Sequence, residues 1–180
     1  QKLSSYMHWH SATDSANQAV SALKEITNNH VNYTIAEQVE VNDVWLKKED
    51  GFTYNEQLYL DVMAGKSSQH EPDAVDYYQI INNPAFDICG KLNRGEIDEL
   101  WLFGGPWFGF KESILIGPKG FYYNSSPITT GTSCNKLLPV MGLSYEPSYA
   151  NILHDYGHRT EATMAYIYGD WQENRMANNF

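Results

Sequence analysis

The sequence lacks the features that would assign it to a membrane or to nucleic acids. No apolar stretch approaches the roughly 20 residues that a membrane-spanning helix needs, so we expect no membrane insertion. The formal net charge is −10, and the 12 Lys and Arg residues are scattered along the chain. Nucleic acids and anionic membranes are bound through a basic surface, so we expect neither as a partner.

Short catalytic motifs are missing as well. The chain contains no phosphate-binding G-x-x-x-x-G-K-S/T loop, and the glycines at 104–109 do not form a dinucleotide fingerprint. It also lacks the G-x-S-x-G motif of serine hydrolases and the H-E-x-x-H motif of zinc proteases. We therefore expect no cofactor, except that two histidines near the end of the chain could bind a divalent metal.

Cysteine is scarce, since only Cys89 and Cys134 are present. They lie far apart in the sequence, and no second Cys/His pair gives a zinc-knuckle spacing, so we expect no structural metal cage. They form either two buried thiols or one disulfide, which would close a loop of about 46 residues and stabilise the fold by about 4 kcal/mol. We favour the disulfide.

The chain begins at Gln1 without a basic and apolar leader, which fits either a cytosolic protein or a secreted one whose signal peptide has been removed. We favour a secreted, extracellular protein, in which a disulfide persists.

Apolar periodicity predicts alternating helices and strands. Helices are expected at about 11–27, 55–64, 73–81, 84–93 and 147–168, and strands at 33–41, 97–103, 114–116 and 137–143. The central strands are apolar throughout, which is typical of strands covered on both faces. We therefore predict a single α/β domain over residues 1–180, with a mostly parallel, Rossmann-like sheet and helices on both faces.

Aromatic residues are abundant, with 13 Tyr, 5 Trp and 7 Phe. A surplus of Tyr and Trp suits surfaces that stack on flat, partly polar ligands such as sugars. The loop after the strand at 97–103 combines Gly104 and Gly105 with Trp107 and Phe108. Glycines let a backbone approach a ligand closely, so we predict that this loop binds one, together with Tyr145 at the end of a later strand.

Two carboxylates are expected near the same edge of the sheet, where ligands gather beyond the carboxyl ends of the strands. Glu112 follows the aromatic loop, and Glu146 opens the last helix. As a pair they would suit general acid/base work on a glycosidic or ester bond. The alternative is structural, with Glu146 capping its helix and Glu112 paired with Lys111 or an Arg.

The last helix carries His154, His158 and Glu161, and the i, i+4 spacing puts both histidines on one face. Two histidines and a carboxylate can bind a divalent metal. His158 and Arg159 are also candidates for another catalytic role or for a buried structural ion pair. Glu99, at the start of the strand predicted at 97–103, is expected in a solvated turn or a helix-capping role.

The segment at 95–110, GEIDELWLFGGPWFGF, resembles a family of bacterial secreted proteins of uncharacterised function. Residues 112–113 and the segment 157–161, GHRTE, extend the likeness over most of the chain. The resemblance implies that this chain is a domain or a truncated product of a longer secreted protein. It implies no activity, so it assigns no catalytic residue.

Three functions remain open from the sequence. The leading hypothesis is a secreted, hydrolase-like domain that acts on an extracellular glycan or related polymer. The rival is a non-catalytic glycan-binding or assembly module, in which the aromatic loop docks a ligand or a neighbouring chain. A metal-dependent enzyme that uses His154, His158 and Glu161 is the third.

Overall fold

The computed structural model describes residues 2–41, 45–145 and 149–169. Within these ranges the chain forms six α-helices and three β-strands. The helices are α1 (Leu3–Tyr6), α2 (Ala12–Ile26), α3 (Glu56–Met63), α4 (Tyr77–Ile81), α5 (Ile88–Arg94) and α6 (Tyr149–Tyr168). The strands are β1 (Leu100–Gly104), β2 (Ser113–Ile116) and β3 (Leu138–Ser144). None of the described helices is long and apolar enough to cross a membrane.

The three strands form one small mixed sheet in the order β1-β3-β2. β1 runs parallel to β3, with Leu100 opposite Val140, whereas β2 runs antiparallel to β3. The predicted α/β fold with a mostly parallel, Rossmann-like sheet is therefore wrong. The segment 105–112 is too short for the crossover of a dozen or more residues that would have returned β2 parallel to β1.

The strand predicted at 33–41 is also wrong, because the structure has no strand there. Tyr33 is half-buried, but Ile35, Val39 and Val41 are exposed. A strand needs the edge of another strand to pair its backbone groups, and the alternating pattern of side chains alone does not supply one.

Helices cover both faces of the sheet. On one face Met141 and Leu143 of β3 pack against Ala19 of α2 and Ile152 of α6. On the other face lies the larger core, which joins α4 and α5 to the sheet through residues that include Ile80, Ile88, Leu92, Ile114 and Val140. Cys89 and Cys134 belong to this second core and are joined by an S–S bond of 2.00 Å, which confirms the disulfide.

Several helix ends follow their local sequence signals. Ser11 caps α2 by accepting a hydrogen bond from the backbone N–H of Asp14, and Asn55 caps α3 in the same way. Gly95 ends α5 with a φ of 74°, a left-handed conformation that favours glycine. The helix predicted at 73–81 begins later, at Tyr77, because Asp76 caps α4.

Candidate functional site

Three side chains gather where α6 passes the start of β2. Glu112, His154 and Asp155 each offer a ligand atom, and these atoms all lie within 4.8 Å of one another. Glu112 directly precedes β2, and its backbone carbonyl accepts a hydrogen bond of 3.2 Å from the N–H of Gly142 in β3. The sheet and the helix together thus fix this cluster of one nitrogen and two oxygen donors, called here the Glu112–His154–Asp155 cluster.

The three members differ in exposure. Glu112 and His154 are exposed, whereas only 2% of the surface of Asp155 is accessible. Asp155 is buried because it shares the packed side of α6 with Ile152 and Arg159. Burial, and after it the negative charge of Glu112, raise the pKa of Asp155 to about 7, and the nearby His158 acts in the opposite direction.

A row of hydrogen bonds along α6 leads into the cluster. Nε2 of His158 lies 3.0 Å from Nε2 of His154, and its Nδ1 lies 3.1 Å from a carboxylate oxygen of Glu161. In such a row one of the two facing nitrogens carries the hydrogen and the other accepts it. Glu161 therefore fixes the orientation of His158, which in turn holds His154.

The metal ligands predicted from the sequence were His154, His158 and Glu161. The structure places both histidines in contact, as the i, i+4 spacing requires. Glu161 lies on the far side of His158, and the acidic side chains beside His154 are Glu112 and Asp155. The structure thus shows a group that could hold a cation, built around only one of the predicted ligands.

A surface groove of about 370 Å³ adjoins the cluster. Its lining combines aromatic, small and polar side chains from the 122–124 segment and from α6: Tyr122, Asn124, His158, Glu161, Ala162, Ala165 and Tyr166. The Asn124 amide donates a hydrogen bond to the carboxylate of Glu112. Asn124 and His158 therefore contact both the groove and the cluster.

Arg159, one of the predicted catalytic residues, lies in a buried network on the neighbouring turn. It forms an ion pair with Glu99, and the side chains of both residues are 9% exposed. Tyr33 bridges them, because it accepts a hydrogen bond of 2.9 Å from Nη2 of Arg159 and donates one of 2.9 Å to Glu99. The solvated turn expected for Glu99 is therefore wrong.

Ionisation in this network follows from burial and from the pair itself. Burial acts to lower the pKa of Arg159, but the hydrogen bond and the charge of Glu99 outweigh it and raise the pKa. Burial above all, and then the charge of Glu99, raise the pKa of Tyr33. Arg159 therefore stays charged and Tyr33 stays neutral at physiological pH.

The glycines of the predicted binding loop allow aromatic rings to pack closely. A Cβ atom at Gly104 would lie 2.7 Å from the ring of Phe108. A Cβ atom at Gly105 would lie 2.4 Å from both Trp9 and Tyr59. Such distances exclude any side chain, so both glycines are explained by the packing of this loop on the aromatic residues around it.

The two aromatic residues of the loop differ in their surroundings. Phe108 packs against Tyr59, with ring centroids 5.6 Å apart, whereas Trp107 is 37% exposed. The carbonyl of Trp107 accepts a hydrogen bond of 2.7 Å from the buried ammonium of Lys48. Lys48 thus holds the loop from beneath, and Trp107 is the member of the pair that faces solvent.

The remaining predicted residues are Tyr145 and Glu146. The ring of Tyr145 lies parallel to that of Trp9, with centroids 5.7 Å apart. Glu146 lies outside the described residues. Among the described residues, the acidic side chain that joins Glu112 in the cluster is Asp155. The ligand-binding roles of the loop and of Tyr145 stay predictions.

Sequence reasoning missed Asp155 and most residues of the groove, among them Tyr122 and Asn124. A signal for Asp155 existed, because it falls three residues after Ile152 and four before Arg159, on the helix side that packs inward. No such local signal exists for Tyr122 and Asn124, since they meet α6 only through the fold.

Comparison with protein families, curated proteins and solved structures found no match to this chain. The resemblance to bacterial secreted proteins therefore stays a prediction.

Proposed function

We propose that the protein is a secreted hydrolase that acts on an extracellular glycan or related polymer, with a divalent cation held by Glu112, His154 and Asp155. The observation that carries this proposal is the Glu112–His154–Asp155 cluster, whose donor atoms come from two elements and lie within 4.8 Å of one another. It stands beside a groove wide enough to receive part of a substrate.

The donor set fits a divalent transition metal. One imidazole nitrogen and two carboxylate oxygens suit Zn²⁺ or Mn²⁺. Three protein ligands leave a coordination position open, as catalytic zinc sites do. Bonds of about 2.1 Å would bring tetrahedral ligand atoms to about 3.4 Å from one another, and the exposed Glu112 has the freedom to close the remaining distance.

The neighbouring side chains would orient the cluster around the cation. A divalent cation would polarise the scissile bond and lower the pKa of water bound to it. His158 lines the groove, but both of its ring nitrogens are hydrogen-bonded, one to Glu161 and one to His154, so it would orient His154 and not accept the proton of a water. The hydrogen bond from Asn124 keeps Glu112 directed towards the cluster.

Secretion is supported by the disulfide between Cys89 and Cys134, since such bonds persist mainly in oxidising compartments. The alternative function is a non-catalytic glycan-binding or assembly module. It is supported by the exposed aromatic residues of the groove, Tyr122 and Tyr166.

Metal binding is tested directly on the purified protein. After treatment with EDTA and dialysis, titration with Zn²⁺ and Mn²⁺ in a calorimeter should show one site. His154→Ala and Glu112→Gln should weaken it by more than the roughly 10–100-fold that loss of an outer-shell partner costs. The exposed His30→Ala serves as the matched control and should bind as the wild type does.

Catalysis is tested by incubating the protein with a panel of polysaccharides and scoring cleavage and retention together. Cleavage that needs the added metal supports the proposal. Cleavage that survives chelation would assign the reaction to Glu112 and Asp155 without a metal, and retention without cleavage would favour the binding module. A protein that binds neither metal at micromolar concentration would overturn the metal site.

A further inference from the structure

The groove beside the cluster is flanked by two exposed tyrosines. Tyr122 is 63% exposed and Tyr166 is 61% exposed, although large aromatic side chains usually gain by burial. The lining also includes the small side chains of Ala162 and Ala165, which lie three residues apart on one side of α6. These residues line a groove of about 370 Å³ that presents aromatic side chains to solvent.

One of these rings is held in place from behind. Tyr166 stacks on Phe121, with centroids 3.9 Å apart and ring planes 5° from parallel. Phe121 is half-buried and packs edge-on against the buried Tyr123, with centroids 5.9 Å apart. An aromatic ring fixed in this way offers contact area at a low cost in conformational entropy when a ligand stacks on it.

The groove also carries polar groups at the end that meets the cluster. Asn124 contributes an amide, His158 an imidazole and Glu161 a carboxylate. A sugar ring presents the matching surface, because its C–H face stacks on aromatic rings while its hydroxyl groups both donate and accept hydrogen bonds.

The charge of the groove favours an uncharged sugar over an anionic one. No Lys or Arg is among the described residues that line the groove, and Glu161 supplies a negative charge there. The chain as a whole carries a formal net charge of −10. In the protein without bound metal, an anionic polymer would be repelled by these negative charges, whereas an uncharged polymer would not.

From these observations we infer that the groove binds a neutral sugar ring of a polysaccharide, stacked between Tyr122 and Tyr166. The inference rests on the proposed function, of which it names the substrate class and the binding subsite. Asn124 and His158 would place the bound sugar next to Glu112 and His154. The volume of the groove lies within the range of about 300–1,000 Å³ that small-ligand sites occupy.

Affinity electrophoresis tests the inference, with soluble β-1,3-glucan, β-1,4-mannan and xylan as neutral probes and polygalacturonate as the anionic one. In the protein without added metal, at least one neutral probe should retard migration, and polygalacturonate should not. Tyr122→Ala should weaken that binding about two- to ten-fold, the range expected for loss of one aromatic contact. Tyr122→Phe keeps the ring and should bind within about two-fold of the wild type. Tyr6→Ala, at an exposed tyrosine of α1, is the control.

Sugar binding can be measured after the metal site has been removed, so failure of one proposal can be told apart from failure of the other. The assay is repeated in EDTA and with His154→Ala, and retardation by the neutral probe should persist in both. Tyr166→Ala gives a second, independent loss if Tyr122→Ala also disturbs its loop. The inference is overturned if no neutral probe binds, if polygalacturonate binds better, or if both alanine variants bind as the wild type does.

Discussion

The buried pair of Glu99 and Arg159 gives the sharpest prediction about what holds α6 on the sheet. Both side chains are 9% exposed, and Glu99 lies next to β1 while Arg159 lies on α6, 60 residues later. Glu99 also accepts a hydrogen bond of 2.5 Å from the indole N–H of Trp101 and one from Tyr33. The perturbation is Arg159→Met, which leaves the carboxylate buried without its cation.

The expected loss is large because the remaining charge is not solvated. Removing one partner of a buried ion pair costs about 3–5 kcal/mol, a large part of the 5–15 kcal/mol by which most domains are stable. With a slope of about 2 kcal/mol per M in urea, Arg159→Met should lower the midpoint of unfolding by about 1.5–2.5 M. The indole and phenol groups that remain can satisfy the oxygens of Glu99, but they cannot neutralise its charge.

A double-mutant cycle separates the pair from its surroundings. Glu99→Gln and Arg159→Met should each destabilise the protein, and the double variant should lose about 1–3 kcal/mol less than the two changes added together. Urea titrations followed by tryptophan fluorescence measure all four proteins. The exposed pair of Arg94 and Glu96 is the matched control, and Arg94→Met should leave the midpoint almost unchanged.

Additive losses in the cycle would refute this reasoning, since independent effects mean that the two charges do not stabilise each other. An unchanged midpoint in Arg159→Met would refute it as well. If stability falls as predicted while the folded variant keeps the turnover of the wild type, Arg159 acts in the fold and its sequence-based catalytic role is wrong.

Three further predictions concern the disulfide, the sheet and the cluster. Replacing Cys89 and Cys134 together by Ser should lower the free energy of unfolding by about 4 kcal/mol, which is the chain-entropy value for this loop. Urea titration measures the change, and a variant as stable as the wild type would contradict the prediction. Gly142→Ala should cost about 1–3 kcal/mol in the same assay, because its Cβ would lie 2.3 Å from the carbonyl oxygen of Lys111; an unchanged midpoint would show that the loop moves freely. Asp155→Asn should lose metal affinity in calorimetry, and its free energy of unfolding, measured in EDTA, should equal or exceed that of the wild type. A fall in that free energy of more than about 1 kcal/mol would show that Asp155 has a structural role.

Structural features that depend only on residues close together in the sequence were predictable. The helices predicted to begin at about 11 and 55 do so, because Ser11 and Asn55 cap them, and a cap depends only on its side chain and the next few backbone groups. The contact of His154 with His158 followed in the same way from the helical repeat.

Features that depend on distant partners were not predictable. The direction of β2 depends on its pairing with β3, which the apolar run at 114–116 does not encode. Glu99 stands in a stretch with two other acidic residues, and only the position of Arg159 in the folded chain explains why it is buried. The joining of Glu112 to His154 and Asp155 likewise needs the sheet and the helix to be placed first.

Asp155 and Arg159 lie one turn apart on the same side of α6 and are both buried, but their charged neighbours differ. Arg159 is neutralised by Glu99, so its burial contributes to the attachment of the helix. Asp155 has no Lys or Arg partner in the described parts of the chain, and its nearest charged neighbours include the like-charged Glu112. Burying an acid without a cation costs stability, and a hydrophobic or amide side chain would fill the place at a lower cost. A costly group beside a histidine and a groove is typical of a functional site, and a cation bound there would recover free energy that folding alone does not supply.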